Sequence, residues 1–491
     1  MDYKYKFSVI VPVYNVEDYL AESLDSVINQ TIGFKENIQL ILVNDGSTDN
    51  SGEICVKYRD AYPDNVIYIE KENGGVSSAR NEALKHVEGK YTAFLDSDDK
   101  WDLPAFVTVY DFFEKHYDEI DVVACRVKRF EAQNNYHVLD YKFNAGTRIA
   151  DINSPDEYFS IQTLITSTVA KSDAIKDLQF DTRLISSEDT FFCAEIIFKK
   201  CKIGLLKEAL YLYRQRAAKN STIDRIRTNK FYYNEMLEYF HLGLLEYSKE
   251  KFGKAIPFAQ ATVTNDLMWR FEACETRRVL SDEEFAVYKQ KLKEILSQID
   301  DSIIFKNPLH NSYTRRSAAV YFKYGIDYYK ALTLKENELY FREFRVFNPV
   351  CRNTLCALNS FAADDNKFYF EVIIASWLLR STASGGKFVF KVGERFINPN
   401  EVLEYAQKTA KTYEGGEYYF TSCIFNFKLE LNEGETVRIM PYLIYGDKKA
   451  PIFLNCTKFS QSVNPFTTCR LQGKYTVSYE DEGISIMNDK R

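Results

Sequence analysis

Five short apolar runs near the N-terminus, each followed by a helical or polar stretch, restrict the fold of this chain more than any other feature. They are "FSVIVPV" (7–13), "QLILV" (39–43), "VIYI" (66–69), "YTAFL" (91–95) and "DVVAC" (121–125). A continuous run of this length is the pattern of a strand buried on both faces, whereas a half-exposed strand alternates. After the first run, Leu20, Leu24, Val27 and Ile28 fall at helical spacing. After the second, Asp49 or Ser51 can cap a helix running to about Tyr58. "GGVSSARNEALKHV" is a loop entering a helix, and Asp102 and Pro104 mark another start, with Phe106, Val109, Tyr110 and Phe113 on one face. The alternation predicts an α/β fold, a mostly parallel sheet flanked by helices.

At 491 residues the chain exceeds one typical domain. Residues 126–225 are less regular, and helical periodicity dominates 226–345. After "FNP" (347–349) the segments turn β-rich and are broken by Gly, Asn and Asp, which predicts an antiparallel sandwich. The expected division is a catalytic domain over 1–225, a helical linker region over 226–345 and a β-rich domain over 346–491 serving oligomerisation or acceptor binding. The net charge of -7 argues against a nucleic-acid partner. The longest apolar stretch, "FYFEVIIASWLL" (368–379), is too short to span a bilayer and contains Glu371. The N-terminus lacks the marks of a signal peptide, so a cytoplasmic location is expected. The 10 cysteines show no CxxC pair and are expected to be buried thiols.

In an open parallel sheet, ligands bind beyond the carboxyl ends of the strands. Asn15, Asn44-Asp45-Gly46-Ser47, Asn73-Gly74-Gly75 and Asp96-Ser97-Asp98 occupy those ends. No G-x-G-x-x-G follows the first strand and no P-loop occurs, which speaks against a dinucleotide dehydrogenase and a P-loop NTPase. In "FLDSDDKW" (94–101) the carboxylates repel one another unless a cation lies between them. Mg²⁺ or Mn²⁺ commonly uses one or two carboxylates and takes its other ligands from phosphate and water. Asp96 and Asp98, two apart in an extended segment, can point the same way. Asp99 and Asp102 also suit a turn and a helix cap.

Taken in order, "SVIVPVYN", "LVNDGSTD", "NGGVSSARN" and "FLDSDD" resemble the signature of family-2 glycosyltransferases with the GT-A fold. These are inverting enzymes that use nucleotide sugars. The resemblance is dense over about the first hundred residues and looser to about residue 222. It implies that Asp45 reads the uracil edge of a UDP-sugar, that Pro12 and Tyr14 wall the base, and that Arg80 contacts the nucleotide. It also implies that Asp96 and Asp98 are the DxD pair, with Asp98 the direct metal ligand and Asp96 nearer the ribose. Asn44 departs from the pattern, since many members carry an aspartate there. "SSEDTFF" resembles the downstream Glu-Asp motif, which makes Asp189 the base and Glu188 its neighbour at the sugar or acceptor. Inverting transfer needs one carboxylate to take the acceptor proton and a cation for the departing diphosphate, without the second acid of a glycoside hydrolase. Ser187, Glu188 and Asp189 also suit a helix start on local grounds. "YLYRQR" followed by Ser221 resembles a segment that folds over the diphosphate. Arg214 and Arg216 either pair with phosphate oxygens or are surface arginines.

The resemblance therefore implies a metal-dependent inverting glycosyltransferase, with Mn²⁺ or Mg²⁺. It would move a sugar from a UDP-sugar donor to a hydroxyl of a cell-surface glycopolymer or lipid-linked precursor, such as teichoic acid or capsular polysaccharide. The whole arrangement is similar to bacterial wall teichoic acid glycosyltransferases, whose sandwich tails in some cases assemble trimers. A homo-oligomer through the tail and peripheral contact with the inner membrane face are the corresponding expectations. The alternative, an inactive carbohydrate-binding or scaffolding protein, conflicts with complete DxD and Glu-Asp motifs. A nucleotidyltransferase would carry a Gly-rich basic loop where this chain has "PVYNVEDYL".

Overall fold

The computed structural model describes residues 3–216, 226–272, 279–310, 313–325, 327–347, 356–364, 367–374, 386–406, 421–452, 454, 469–471, 475–480 and 483–489. The chain forms two compact units, residues 1–266 with 307–309, and residues 267–306 with 310–491.

The first unit is built on a nine-stranded sheet. Its strands are β1 (Tyr5–Val13), β2 (Ile38–Asn44), β3 (Val66–Glu70), β4 (Gly89–Phe94), β5 (Lys100–Trp101), β6 (Val122–Glu131), β7 (Arg148–Asp151), β8 (Thr168–Lys171) and β9 (Lys202–Gln215). Of these, β1, β2, β3, β4 and β6 follow the five predicted runs. Their order is β3-β2-β1-β4-β8-β6-β9-β5, with β7 also pairing β9. β3, β2, β1 and β4 are parallel, as the alternation predicts. The fifth run does not lie beside the fourth. The short strand β8 stands between them, antiparallel to both, and β9 then pairs parallel with β6. The result is an α/β sheet with a parallel half and a mixed half.

The helices between these strands are α1 (Leu20–Ile28), α2 (Phe34–Asn37), α3 (Ser51–Ala61), α4 (Val76–Leu84), α5 (Ala105–Lys115), α6 (Ser172–Ile175) and α7 (Glu188–Lys200). Phe7, Val9, Val11 and Val13 of β1 share one core with Leu20, Leu24 and Val27 of α1, Cys55 of α3, and Phe106, Val109 and Phe113 of α5. Ser8 and Ile10, on the opposite face of β1, are also fully buried, and α4 packs on β1 and β2. This two-sided burial is why the runs are continuous rather than alternating. β4 can begin so close to β1 only because residue 89 is glycine. A Cβ there would lie 2.4 Å from the Phe7 carbonyl carbon and the Ser8 nitrogen.

In the second unit, helices over Asp282–Ser297, Asp301–Lys306 and Tyr313–Tyr324 precede a three-stranded antiparallel sheet over residues 332–347. Ser281 opens the first of these helices with a capping box to Glu284. Beyond residue 355 come a four-stranded and a seven-stranded sheet whose described pairings are all antiparallel. Phe370 and Phe427 of the former meet Phe390 of the latter at ring-centroid distances of 4.8 and 4.5 Å, and Phe388 meets Phe425 at 4.7 Å. Aromatic side chains from two sheets interlocked in this way form a sandwich core. This is the C-terminal β architecture expected from the segment spacing.

Candidate active site

The four polar strand ends converge at the carboxyl edge of the parallel half, and hydrogen bonds knit them together. Asn15, after β1, adopts a left-handed conformation (φ 50°), and its side-chain oxygen accepts from the Thr48 N–H at 2.8 Å. The Ser47 hydroxyl accepts from the Asn15 N–H at 3.1 Å, so the loops after β1 and β2 are fixed to one another. Tyr14 is 51% exposed above this junction, while Pro12 is half-buried. Asp45, after β2, is buried. Its carboxylate accepts from Lys71 Nζ at 2.7 Å and from the N–H groups of Gly74 and Gly75 at 3.0 and 2.8 Å. It thereby holds the third loop against the second. Gly75 has φ 83°, which a side chain there would strain.

Arg80 links the two halves of the site. It lies on α4 with its side chain only 3% exposed. Nη2 donates to Asp96 at 3.1 Å, and Nη1 donates to Asp189 at 2.5 Å and to Glu188 at 3.3 Å. Phe180 lies under the guanidinium at 5.3 Å. Three carboxylates keep Arg80 charged in spite of its burial. Asp189 also accepts from the Ile165 N–H at 3.3 Å. Withdrawal from water, reinforced by Glu188, outweighs Arg80 and pushes the Asp189 carboxyl up to about 7. Desolvation likewise raises Asp96, to about 6, with Asp189 and Asp98 adding repulsion against the pull of Arg80. Glu188 and Asp189 open α7, and Ser187 before them is left-handed (φ 66°). The Ser187 side chain makes no cap bond, so the helix start holds the two acids without one.

Asp98 and Asp99 point to different partners. Asp99 is buried, accepts from the Tyr211 hydroxyl at 2.8 Å and from the Arg214 N–H at 2.7 Å, and is raised well above the usual range by burial and by Asp98 and Asp96. It ties the aspartate loop to β9. Asp98 is a quarter exposed and pairs with Arg216 Nη2. The two arginines differ sharply. Arg214 is buried, with Nε on the Asp98 carbonyl at 2.6 Å, Nη1 on Glu131 at 2.7 Å and Nη2 on Glu22. Arg216 is 34% exposed and stacks on Tyr19 at 4.5 Å. Ser221 lies outside the described residues.

Among the described residues no three His, Cys, Asp or Glu side chains cluster as a ready metal cage. The donor set still fits Mg²⁺ or Mn²⁺. Asp96 and Asp98 are hard oxygen donors, and each already faces a cationic guanidinium. Two carboxylates suffice when phosphate and water complete the shell. Sequence reasoning missed the partners that assemble the site: Lys71, Tyr19, Glu22, Tyr211 and the Ile165 amide. Tyr211 was visible only as part of "YLYRQR", and the others carry no motif.

The profile described as "Glycosyl transferase family 2" matches residues 8–170. The "Minor teichoic acid biosynthesis protein GgaB" of Bacillus subtilis is 37% identical over 404 residues, which are 82% of this chain and 44% of that protein. GgaA of the same organism, also described as a minor teichoic acid biosynthesis protein, is 34% identical over 61% of this chain and 68% of its own length. This chain thus spans less than half of the first relative and about two thirds of the second. The crystal structure of S. aureus TarS aligns with 98% of this chain and 85% of its own, at 18% identity and a TM-score of 0.51. A shorter TarS in complex with UDP-GlcNAc aligns with 69% of this chain and 97% of its own, at 22% identity and a TM-score of 0.52. TarS thus shares the fold. By these matches, and by the four strand-end motifs now assembled in one cleft, the chain belongs to glycosyl transferase family 2.

Proposed function

We propose that the chain is an inverting, metal-dependent glycosyltransferase that moves a sugar from a UDP-sugar to a hydroxyl of a teichoic acid or related surface glycopolymer. The observation that carries this reading is Arg80, which joins the strand-end Asp96 to Glu188 and Asp189 of α7 in one cleft. One guanidinium shared by a donor-side carboxylate and a candidate base supports this reading. The relatives named for teichoic acid biosynthesis support the acceptor class, and the UDP-GlcNAc complex of TarS supports the donor class.

In this reading Tyr14 and Pro12 flank the base, and Asp45 sets the loop that meets the uracil edge. Asp98, with Asp96, holds Mg²⁺ or Mn²⁺, which when bound stabilises charge on the departing diphosphate. Arg214 fixes the strand end and Arg216 meets the phosphate oxygens. Asp189 takes the proton from the acceptor hydroxyl as its oxygen bonds to the anomeric carbon. The bond from that carbon to UDP breaks, and the configuration inverts. Glu188 contacts the sugar or acceptor beside it. The β-rich region from about residue 346 serves assembly, as a trimer, or capture of a polymeric or lipid-linked acceptor at the inner membrane face. Among the described residues no helix is long and apolar enough to cross a membrane.

The pH profile tests the assignment of Asp189. A base must be deprotonated to act, and the Asp189 carboxyl is raised to about 7. kcat/KM for transfer should therefore climb about tenfold per pH unit below that value and level off above it. A flat profile between pH 5.5 and 8 contradicts the assignment.

A further inference from the structure

Arg214 and Arg216 project from the same face at the end of β9, two residues apart, yet they are used in opposite ways. Arg214 has all three side-chain nitrogens hydrogen-bonded, and its side chain is 4% exposed. Arg216 touches Asp98 through one terminal nitrogen, and its Nε is buried with no hydrogen-bond partner among the described residues. A settled guanidinium commits its whole fork, either to one carboxylate, as Arg126 does to Asp140, or to several acceptors, as Arg214 does. Leaving a buried donor unsatisfied costs free energy that a better partner would recover. The Tyr19 ring supports Arg216 without directing it, since a cation–π contact fixes position far less strictly than a hydrogen bond.

The carboxylate that Arg216 covers is the one that the proposed function gives to the divalent ion. Resting on that reading, we propose that Arg216 is a resident cation that competes with the divalent metal for Asp98 and is released to the donor diphosphate when the metal arrives. Arg216 pairs with Asp98, while Arg80 is shared between Asp96 and Asp189. A metal ion arriving alone must displace a covalently tethered rival and leave it unpaired on Tyr19. A diphosphate arriving alone finds the arginine engaged. Arriving together, each supplies what the other displaces, because the ion takes Asp98 and the diphosphate takes the freed fork, Nε included. The two ligands therefore bind with positive coupling beyond their direct contact, and that coupling must act equally in both directions.

Mn²⁺ affinity measured on the full chain, with and without UDP, tests this in the wild type, Arg216→Gln, Arg216→Lys and Asp98→Asn. Arg216→Gln should bind Mn²⁺ alone about fivefold more tightly than wild type, the order expected for removing a partly exposed competing charge. The improvement that UDP gives to Mn²⁺ affinity should shrink in the same variant. Arg216→Lys keeps a tethered cation and should stay near wild type for Mn²⁺ alone. Equal Mn²⁺ affinity in wild type and Arg216→Gln, with binding lost in Asp98→Asn, overturns the competition and leaves the metal reading intact. Asp98→Asn binding Mn²⁺ as tightly as wild type, or no binding in any form, overturns both.

Discussion

Asp189→Asn should abolish sugar transfer while UDP-sugar binding stays close to wild type. The side chain reaches the cleft from the first turn of α7, and its two oxygens take hydrogen bonds from Arg80 and the Ile165 amide. An amide oxygen keeps one of those bonds, so the local geometry survives and the basicity does not. General-base assistance is worth about 10²–10⁴-fold, and the transfer rate should fall by at least that much. Donor binding is read from thermal stabilisation, which reaches about 2.7 kcal/mol at a hundredfold excess over Kd. The variant should show nearly the wild-type shift with UDP-sugar and Mn²⁺. Glu188→Gln showing this pattern in place of Asp189→Asn would move the base by one residue. Near wild-type transfer by Asp189→Asn would end the assignment.

Arg80→Met should destabilise the first unit severely and also remove activity. It leaves the largely buried Glu188 and Asp189, and the part-exposed Asp96, facing one another without their shared cation. Breaking a buried pair by deleting one partner costs about 3–5 kcal/mol, and a fall in Tm on the order of 10 °C follows for a unit of this size. The pH dependence carries the diagnostic sign. Asp189 already prefers its proton in the folded state, since its pKa lies near 7 against about 4 when unfolded. Without Arg80 that preference grows, so the folded variant binds more protons than the unfolded chain. Its deficit relative to wild type should then shrink as pH falls from 8 to 6. Melting curves at the two pH values measure this. A variant as stable as wild type at pH 8, or a deficit that widens on acidification, contradicts the account of the cluster.

The parallel half of the sheet was legible because β1, β2 and β4 are buried on both faces and therefore carry unbroken apolar runs, while the edge strand β3, only part-buried, still reads as four apolar residues. β8 was not, since it is a four-residue strand, Thr168–Lys171, with polar residues at both ends. Those polar ends are satisfied by hydrogen bonds, Thr168 locally to the Leu164 carbonyl and Lys171 across 54 positions to the Tyr117 carbonyl. β9 hid for a different reason. Lys207 and Glu208 interrupt its apolar pattern, where the pairing with β6 shifts register. The site motifs were legible as a set, and four ordered strand ends pointed to one cleft. What joins them was not legible. Arg80 meets Asp189 across 109 positions, a contact only the closed sheet creates. Arg214 and Arg216 look alike in sequence, and only the packing of Glu22 and Glu131 around the first separates a fixed brace from an exposed arm.

Metal-dependent transfer with inversion can be read in a single assay. The chain is incubated with a panel of UDP-α-sugars, Mn²⁺ and a glycopolymer acceptor. UDP release is followed, and the anomeric configuration of the product is read by NMR. UDP should be released from at least one UDP-sugar, nearly all turnover should be lost on chelation and in Asp98→Ala, and the product should be β-linked. Undiminished turnover in Asp98→Ala with metal removed, or an α-linked product, would contradict metal-dependent transfer with inversion.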